Sequence, residues 1–474
     1  MYEKDHVMST NHFIAFTINL VLSLVFYAML LFLWNSSPAS GWEKTIAVFA
    51  VTQFVINLVA LLIMKISILD YRFWYVFLIQ MFTYGRIFLI ALGKTDLLIW
   101  KNLASNYSEL TNWRAGLLAL TCTQCFFSGM LYVKNSYINK DNLEENDEED
   151  ASLRNLYFRL GIILIVALLP FKLITDYQNY IQMQILGVYS QAEVNGIIGN
   201  LALLYPVGFV FLICSKKWKE STCKKFIIVY SAIMLFFTIY TGDRRNVITS
   251  ILAILLCYLY VYKPHIRLLK IVLYGFIAVG VLFLLVAVRE LRSTSSGSLM
   301  SVIQFFENDV SLLDVLWDSF SEYGITYYTY SNAVRFYPDE IGFFLGSTYL
   351  LFLGVSIPGI GVVFPQINDL TSTSKYPEAI LHYSVGGSFG QEAYANFGLF
   401  CGMFLLIVGI IFGKYFIKLL YSGNKKKILY YFLLLYFFLS LPRASFLEFS
   451  RQIVWTILIT EVALRVRLIK QSRT

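Results

Sequence analysis

Five arginines and two acid–base residues stand out by type and placement. Arg244 and Arg245 are adjacent in TGDRRN, a few residues between two apolar stretches. Arg289 and Arg292 follow another apolar stretch, and Arg443 occupies the tight turn LPRAS. A guanidinium is a planar fork of N–H donors that makes two parallel, charge-assisted hydrogen bonds to a phosphate or carboxylate. Several gathered together repel one another unless an anion lies among them. His382 and Glu392 are the groups suited to move a proton. They flank Gly386, Gly387 and Gly390 in HYSVGGSFGQEAYANFG, where glycine lets the backbone turn tightly or approach a ligand. Arg86 and Arg451, inside apolar runs, and Asp243, beside the arginine pair, are further candidates.

The elements that carry these residues are membrane helices. Of 474 residues, 58% are hydrophobic and only 14% charged, against about 25% charged in soluble domains. Aromatics reach 17%, with 33 Tyr and 40 Phe, residues that fill helix bundles and membrane interfaces. Apolar runs of spanning length fall at 13–34, 46–64, 73–92, 113–133, 156–175, 196–214, 226–241, 246–262, 271–288, 393–413, 428–441 and 444–464. The expected fold is therefore an all-α polytopic membrane protein of about twelve spans in a single membrane domain. The first run is long enough to span and lacks a small-residue cleavage site, so no cleavable signal peptide is expected.

Basic residues orient the spans, because short cytoplasmic loops are enriched in Lys and Arg. Lys216, Lys217, Lys219, Lys224 and Lys225 mark one loop; Lys263, Arg267 and Lys270 a second; Lys414, Lys418 and Lys425 to Lys427 a third; Arg465, Arg467, Lys470 and Arg473 the tail. All four fall on one side, which puts both termini in the cytoplasm. The net charge of +8 is explained by these loops, so nucleic acid is not an expected partner. Loop 134–155 is cytoplasmic in this scheme, and its seven acids between Asp141 and Asp150 predict a solvated connector. Segment 289–392 is a large outer loop between the ninth and tenth spans. Within it 299–317 has amphipathic spacing. The apolar piece 341–364 carries Gly354, Pro358, Gly359 and Gly361, which interrupt a helix. It is expected to be re-entrant or surface-lying, against an outer cavity.

The arginines named first then sit on the disfavoured outer side. A central Arg is unfavourable by about 2.5–3.5 kcal/mol on insertion scales, so it usually faces an interior site or a partner. The alternative for Arg244 and Arg245 is snorkelling to lipid headgroups, and for Arg451 an ion pair with Glu448 three residues earlier. His382 could equally be an ordinary loop histidine. Glu392 could be a charge stabilised by a helix N-terminus. The functional reading is an anion site facing the outer leaflet, suited to a lipid-linked phosphate or pyrophosphate. Cys122 and Cys125 form a CxxC inside an apolar helix, where small core residues are the simpler reading. No P-loop, HExxH or GxSxG is present, which leaves nucleotide-driven transport, zinc proteolysis and serine hydrolysis without sequence support.

At TGDRRN, and at Gly386, Gly387, Ser388, Gln391, Glu392, Tyr394, Asn396, Phe397 and Gly398, the chain resembles the Wzy-type O-antigen and capsular polysaccharide polymerases. GSTYLLFLGVSIPGIGVVFP is also similar to a family stretch. There a basic residue often follows the proline, whereas this chain has Gly359 after Pro358. The resemblance implies a GT-C-like glycosyltransferase of the bacterial cytoplasmic membrane, working without nucleotide sugar, metal or other cofactor. It would join undecaprenyl-pyrophosphate-linked repeat units on the outer side. Its partners would be those lipid-linked glycans and membrane lipids, with a chain-length regulator protein as a candidate. Arg244, Arg245, Arg289, Arg292 and Arg443 would hold pyrophosphate, and His382 or Glu392 would deprotonate the acceptor. The competing readings are a lipid-linked oligosaccharide flippase, which should show repeat symmetry and a central arginine-lined cavity, and a ligase using the same donor.

Overall fold

The computed structural model describes residues 10–94, 107–133, 147–186, 196–241, 243–264, 323–357, 360–364, 375–381, 386–448 and 450–471, with isolated positions between 313 and 373. Every regular element among them is helical. Eight helices are long and apolar enough to cross a membrane: Thr10–Leu33, Trp42–Ile63, Tyr71–Ala91, Ala151–Gln182, Ile197–Cys214, Glu220–Thr238, Arg245–Tyr262 and Phe389–Leu420. Each overlies an expected span. Three more helices, Glu109–Leu131, Lys425–Leu439 and Ser450–Gln471, overlie or overlap others without meeting that standard. The expected span 271–288 and the amphipathic stretch up to residue 312 lie outside the described residues.

Glu109–Leu131 is too polar for a lipid-facing helix because it forms the centre of the bundle. Its Thr121, Thr123, Gln124 and Ser128 are fully buried and bonded to neighbouring helices. Gln53 Nε2 and Thr123 Oγ1 are 2.9 Å apart, and the Ser23 and Ser128 hydroxyls 2.7 Å. Such bonds between helices replace water inside the membrane. The same helix crosses Cys401–Phe412 at Gly129 and Gly409. A Cβ on either glycine would overlap the backbone of the other helix, the small-residue contact that lets membrane helices approach closely.

Side-chain contacts divide the bundle into two ends. At one, Tyr421 OH donates to Asp70 Oδ2 (2.6 Å), Tyr262 OH to the Trp218 carbonyl (2.9 Å) and Tyr430 OH to Glu461 (2.7 Å). At the other, Arg114 Nε donates to the Trp34 carbonyl (2.7 Å), Arg86 Nε to Tyr328 OH (3.0 Å) and the Phe446 amide to Glu392 (2.7 Å). Residues expected on one side of the membrane touch residues expected on that same side.

Three expectations change. The helix over the fifth span runs from Asp147 to Leu186, well beyond 156–175. Residues 147–155, expected in the connector, are therefore helical. The tenth span begins earlier, at Phe389, and is broken by a 3-10 turn at Gly398–Phe400, so Glu392 lies inside the helix. Residues 444–448 are not helical; the last helix starts at Ser450. The described residues of 341–364, expected not to cross, carry helices of four, five and four residues, Ser347–Leu350, Phe352–Ser356 and Ile360–Val363, each far too short to span.

Candidate active site

The turn Leu441–Arg443 is the point where the candidate residues converge. Pro442 at its start sets the turn because the ring fixes φ and supplies no amide donor. The turn packs against Tyr71–Ile79, the π-helical turn Gln80–Tyr84 that precedes Arg86, the Phe389–Phe397 helix that carries Glu392, and Lys425–Leu439. The residues after it then reach outward to the remaining parts.

Arg245 is the first of these partners. Asp243 caps its helix, accepting from the Asn246 amide (3.4 Å) and from Asn246 Nδ2 (3.1 Å), and so projects Arg245 sideways. Arg245 Nη1 donates to the Arg443 carbonyl at 3.0 Å, and Nη2 bonds and ion-pairs with Glu448. The pair is partly open, with the side chains 18% and 29% exposed. Glu448 therefore engages Arg245, not primarily Arg451 as its spacing suggested, because it lies in the irregular segment before the helix and not on a shared helical face. Arg451 Nε instead donates to the Val355 carbonyl, and Trp455 Nε1 to the Ser356 carbonyl at 2.9 Å. These bonds fasten the short-helix segment to the last helix.

Glu392 is the second. Ser388 and Gln391 form a capping box at its helix start: Ser388 Oγ accepts from the Gln391 amide (3.2 Å) and Gln391 Oε1 from the Ser388 amide (3.3 Å). Glu392 sits just past this cap and is fully buried. Its Oε2 accepts from the Phe446 amide at 2.7 Å, while Oε1 has no hydrogen-bond partner among the described residues. Glu448 is within electrostatic reach of it. A buried carboxylate with one bonded oxygen and one open oxygen is held firmly and can still accept a proton. Two of the motif's glycines have structural reasons: Gly386 takes a positive φ of +75, and a Cβ on Gly390 would strike the Tyr330 ring.

Arg86 is fully buried. Nε donates to Tyr328 OH (3.0 Å), Nη1 to Ser321 Oγ (3.2 Å), and its charge lies 5.1 Å from the Tyr328 ring centre, a cation–π contact. Nη2 has no partner. Gly85 and Gly324 meet back to back beside it, which brings the Arg86 helix onto the segment before Tyr327–Phe336. His382, Arg289 and Arg292 lie outside the described residues. So does the side chain of Arg244, the first residue of its helix.

The structure thus brings Arg245, Arg443, Glu392 and the Arg86 helix around one turn. Sequence reading missed Glu448 as the partner of Arg245, the role of the Phe446 amide, and Tyr349, whose ring packs on Phe446. The available signal was an acid, Glu448, in an outer segment already rich in arginine. The arrangement can hold an anion at a guanidinium and take a proton at a nearby carboxylate. A family model described as O-antigen polysaccharide polymerase Wzy matches residues 13–472. No curated protein matches the chain, and no solved structure does.

Proposed function

The chain belongs to the Wzy family of O-antigen polysaccharide polymerases, and on that premise we propose how its residues join repeat units. The protein is a multi-pass membrane polymerase with a glycosyltransferase-type reaction. The proposed substrates are two undecaprenyl-pyrophosphate-linked glycans, a growing donor and an incoming acceptor, that meet at the outer end of a GT-C-like bundle of twelve spans. The acceptor hydroxyl oxygen bonds to the anomeric carbon of the donor, its proton passes to a base, and the bond from that carbon to pyrophosphate breaks. No nucleotide sugar or metal takes part.

The observation that carries this reading is the segment 443–448. Within six residues it engages Arg245 through the Arg443 carbonyl and Glu448, and Glu392 through the Phe446 amide. Leaving-group charge needs fixed cations in a water-poor site, and the acceptor needs a base within hydrogen-bond reach. Arg245 and Arg443, with Arg244, Arg289 and Arg292, serve the first need. Glu392 or His382 serves the second. Glu448 balances part of the cationic charge, so the arginines are held together before substrate arrives.

The direct test is purified protein with lipid-linked repeat units. A ladder of longer glycans is expected, and no product longer than one unit would remove the reading. Orientation has its own test: both termini cytoplasmic and 289–392 outside. A cysteine at Ser296 should react with a membrane-impermeant probe in sealed cells and one at Ser422 should not. Labelling at Ser422 reverses the scheme.

A further inference from the structure

On the short-helix segment tied to the Glu392 helix lies a second buried polar atom with no hydrogen-bond partner among the described residues. The Tyr349 hydroxyl is buried and makes no hydrogen bond among the described residues. Its ring is stacked on Phe397 (centroids 6.0 Å, 9° between planes) and lies 4.9 Å from Phe404 and 6.4 Å from Phe446. Phe446 is the residue whose amide holds Glu392, so the Tyr349 ring and the Glu392 carboxylate both meet the same residue.

The approach of the two groups is built by a clasp at Asn396. Its Oδ1 accepts from the Gly346 amide (3.1 Å) and the Thr348 hydroxyl (3.0 Å), and its Nδ2 donates to the Glu392 carbonyl (2.8 Å). The Phe344 and Leu345 amides add bonds of 3.0 Å to the Ala395 and Asn396 carbonyls. Gly346, at φ +85, supplies the left-handed turn that starts the Tyr349 helix. One side-chain amide therefore ties the short-helix segment to the turn of helix carrying Glu392.

The chemistry of the two open atoms is complementary. An ionised carboxylate only accepts hydrogen bonds, and a phenol readily donates one. A hydroxyl between them satisfies both, donating to Glu392 Oε1 and accepting from Tyr349. We propose that Tyr349 and Glu392 together grip the acceptor sugar hydroxyl, with Tyr349 a second substrate-contacting residue. The proposal rests on Glu392 acting as the base. In the step, the hydroxyl proton passes to Glu392 Oε1 and one oxygen lone pair forms the bond to the anomeric carbon. The electron pair of the broken carbon–oxygen bond leaves on the pyrophosphate. Tyr349 holds the other lone pair of the attacking oxygen and keeps its own proton.

Tyr349→Phe tests this, because the ring stack stays and only the hydroxyl goes. The full-length protein in lipid nanodiscs would be assayed with lipid-linked repeat units for initial rate and, separately, for binding of the lipid-linked unit. The variant should lose about 10–100-fold in kcat with binding unchanged, which also reports that it is folded. The double variant Tyr349→Phe/Glu392→Gln should be no more than about twofold slower than Glu392→Gln alone, since groups that act on one atom are not additive. A Tyr349→Phe rate within twofold of the parent overturns the proposal, as does a double variant whose losses multiply or a variant that no longer binds the lipid. A Glu392→Gln variant that polymerises at the parent rate removes the base assignment, and the grip with it.

Discussion

Glu392→Gln is expected to slow polymerisation by about 10²–10⁴-fold, the range spanned by loss of a general base. The substitution keeps size and shape, and the amide oxygen can still accept from the Phe446 N–H that now holds Oε2 at 2.7 Å. What it removes is the ability of the open oxygen to take a proton. A buried carboxylate is also unfavourable unless it is bonded, so the neutral amide should not lower the melting temperature. Rate and melting point therefore separate a catalytic from a structural role. Initial rates of ladder formation at matched protein amounts measure the first. A normal ladder from Glu392→Gln would move the base to His382 or to water.

Arg245→Lys is expected to lose about 10–100-fold, because the ammonium keeps the charge but cannot make two parallel bonds. Arg245 already spans two acceptors, the Arg443 carbonyl and Glu448, so the comparison with Glu448→Gln is decisive. At an effective dielectric near 20, a close charge pair is worth about 4 kcal/mol before desolvation. If Arg245 serves only to pair with Glu448, both variants should fall equally. If it holds pyrophosphate, Glu448→Gln should keep lipid binding while Arg245→Lys loses it. Equal losses in binding and rate would make the pair an internal strut.

Most of the bundle was legible in hydropathy, because a lipid-facing helix must be apolar over its whole length. Glu109–Leu131 was read as span 113–133 even though its Thr123, Gln124 and Ser128, buried among other helices, lower its hydropathy. Glu392 and the arginines were visible as charges in apolar surroundings. Their connections were not. Spacing put Glu448 on a helix with Arg451, but Pro442 and the bond from the Phe446 amide hold 444–448 out of helical form, and Glu448 pairs with Arg245. Tyr349 was hidden for a different reason. It lies in the stretch GSTYLLFLGVSIPGIGVVFP that the sequence marked, but only the clasp through Asn396 ties that stretch to the helix of Glu392.

The bond that holds Glu392 comes from a main-chain amide, and that shapes what a mutational scan of this protein can reveal. Replacing Phe446 by any residue with an amide proton leaves the bond intact and reports only the ring, which packs against Phe126 and Phe389. Tolerance of many side chains at 446 would thus coexist with strict intolerance of one residue, proline, which removes the N–H. A position scored as permissive by average substitution effect would be, atom for atom, one of the most constrained points in the chain.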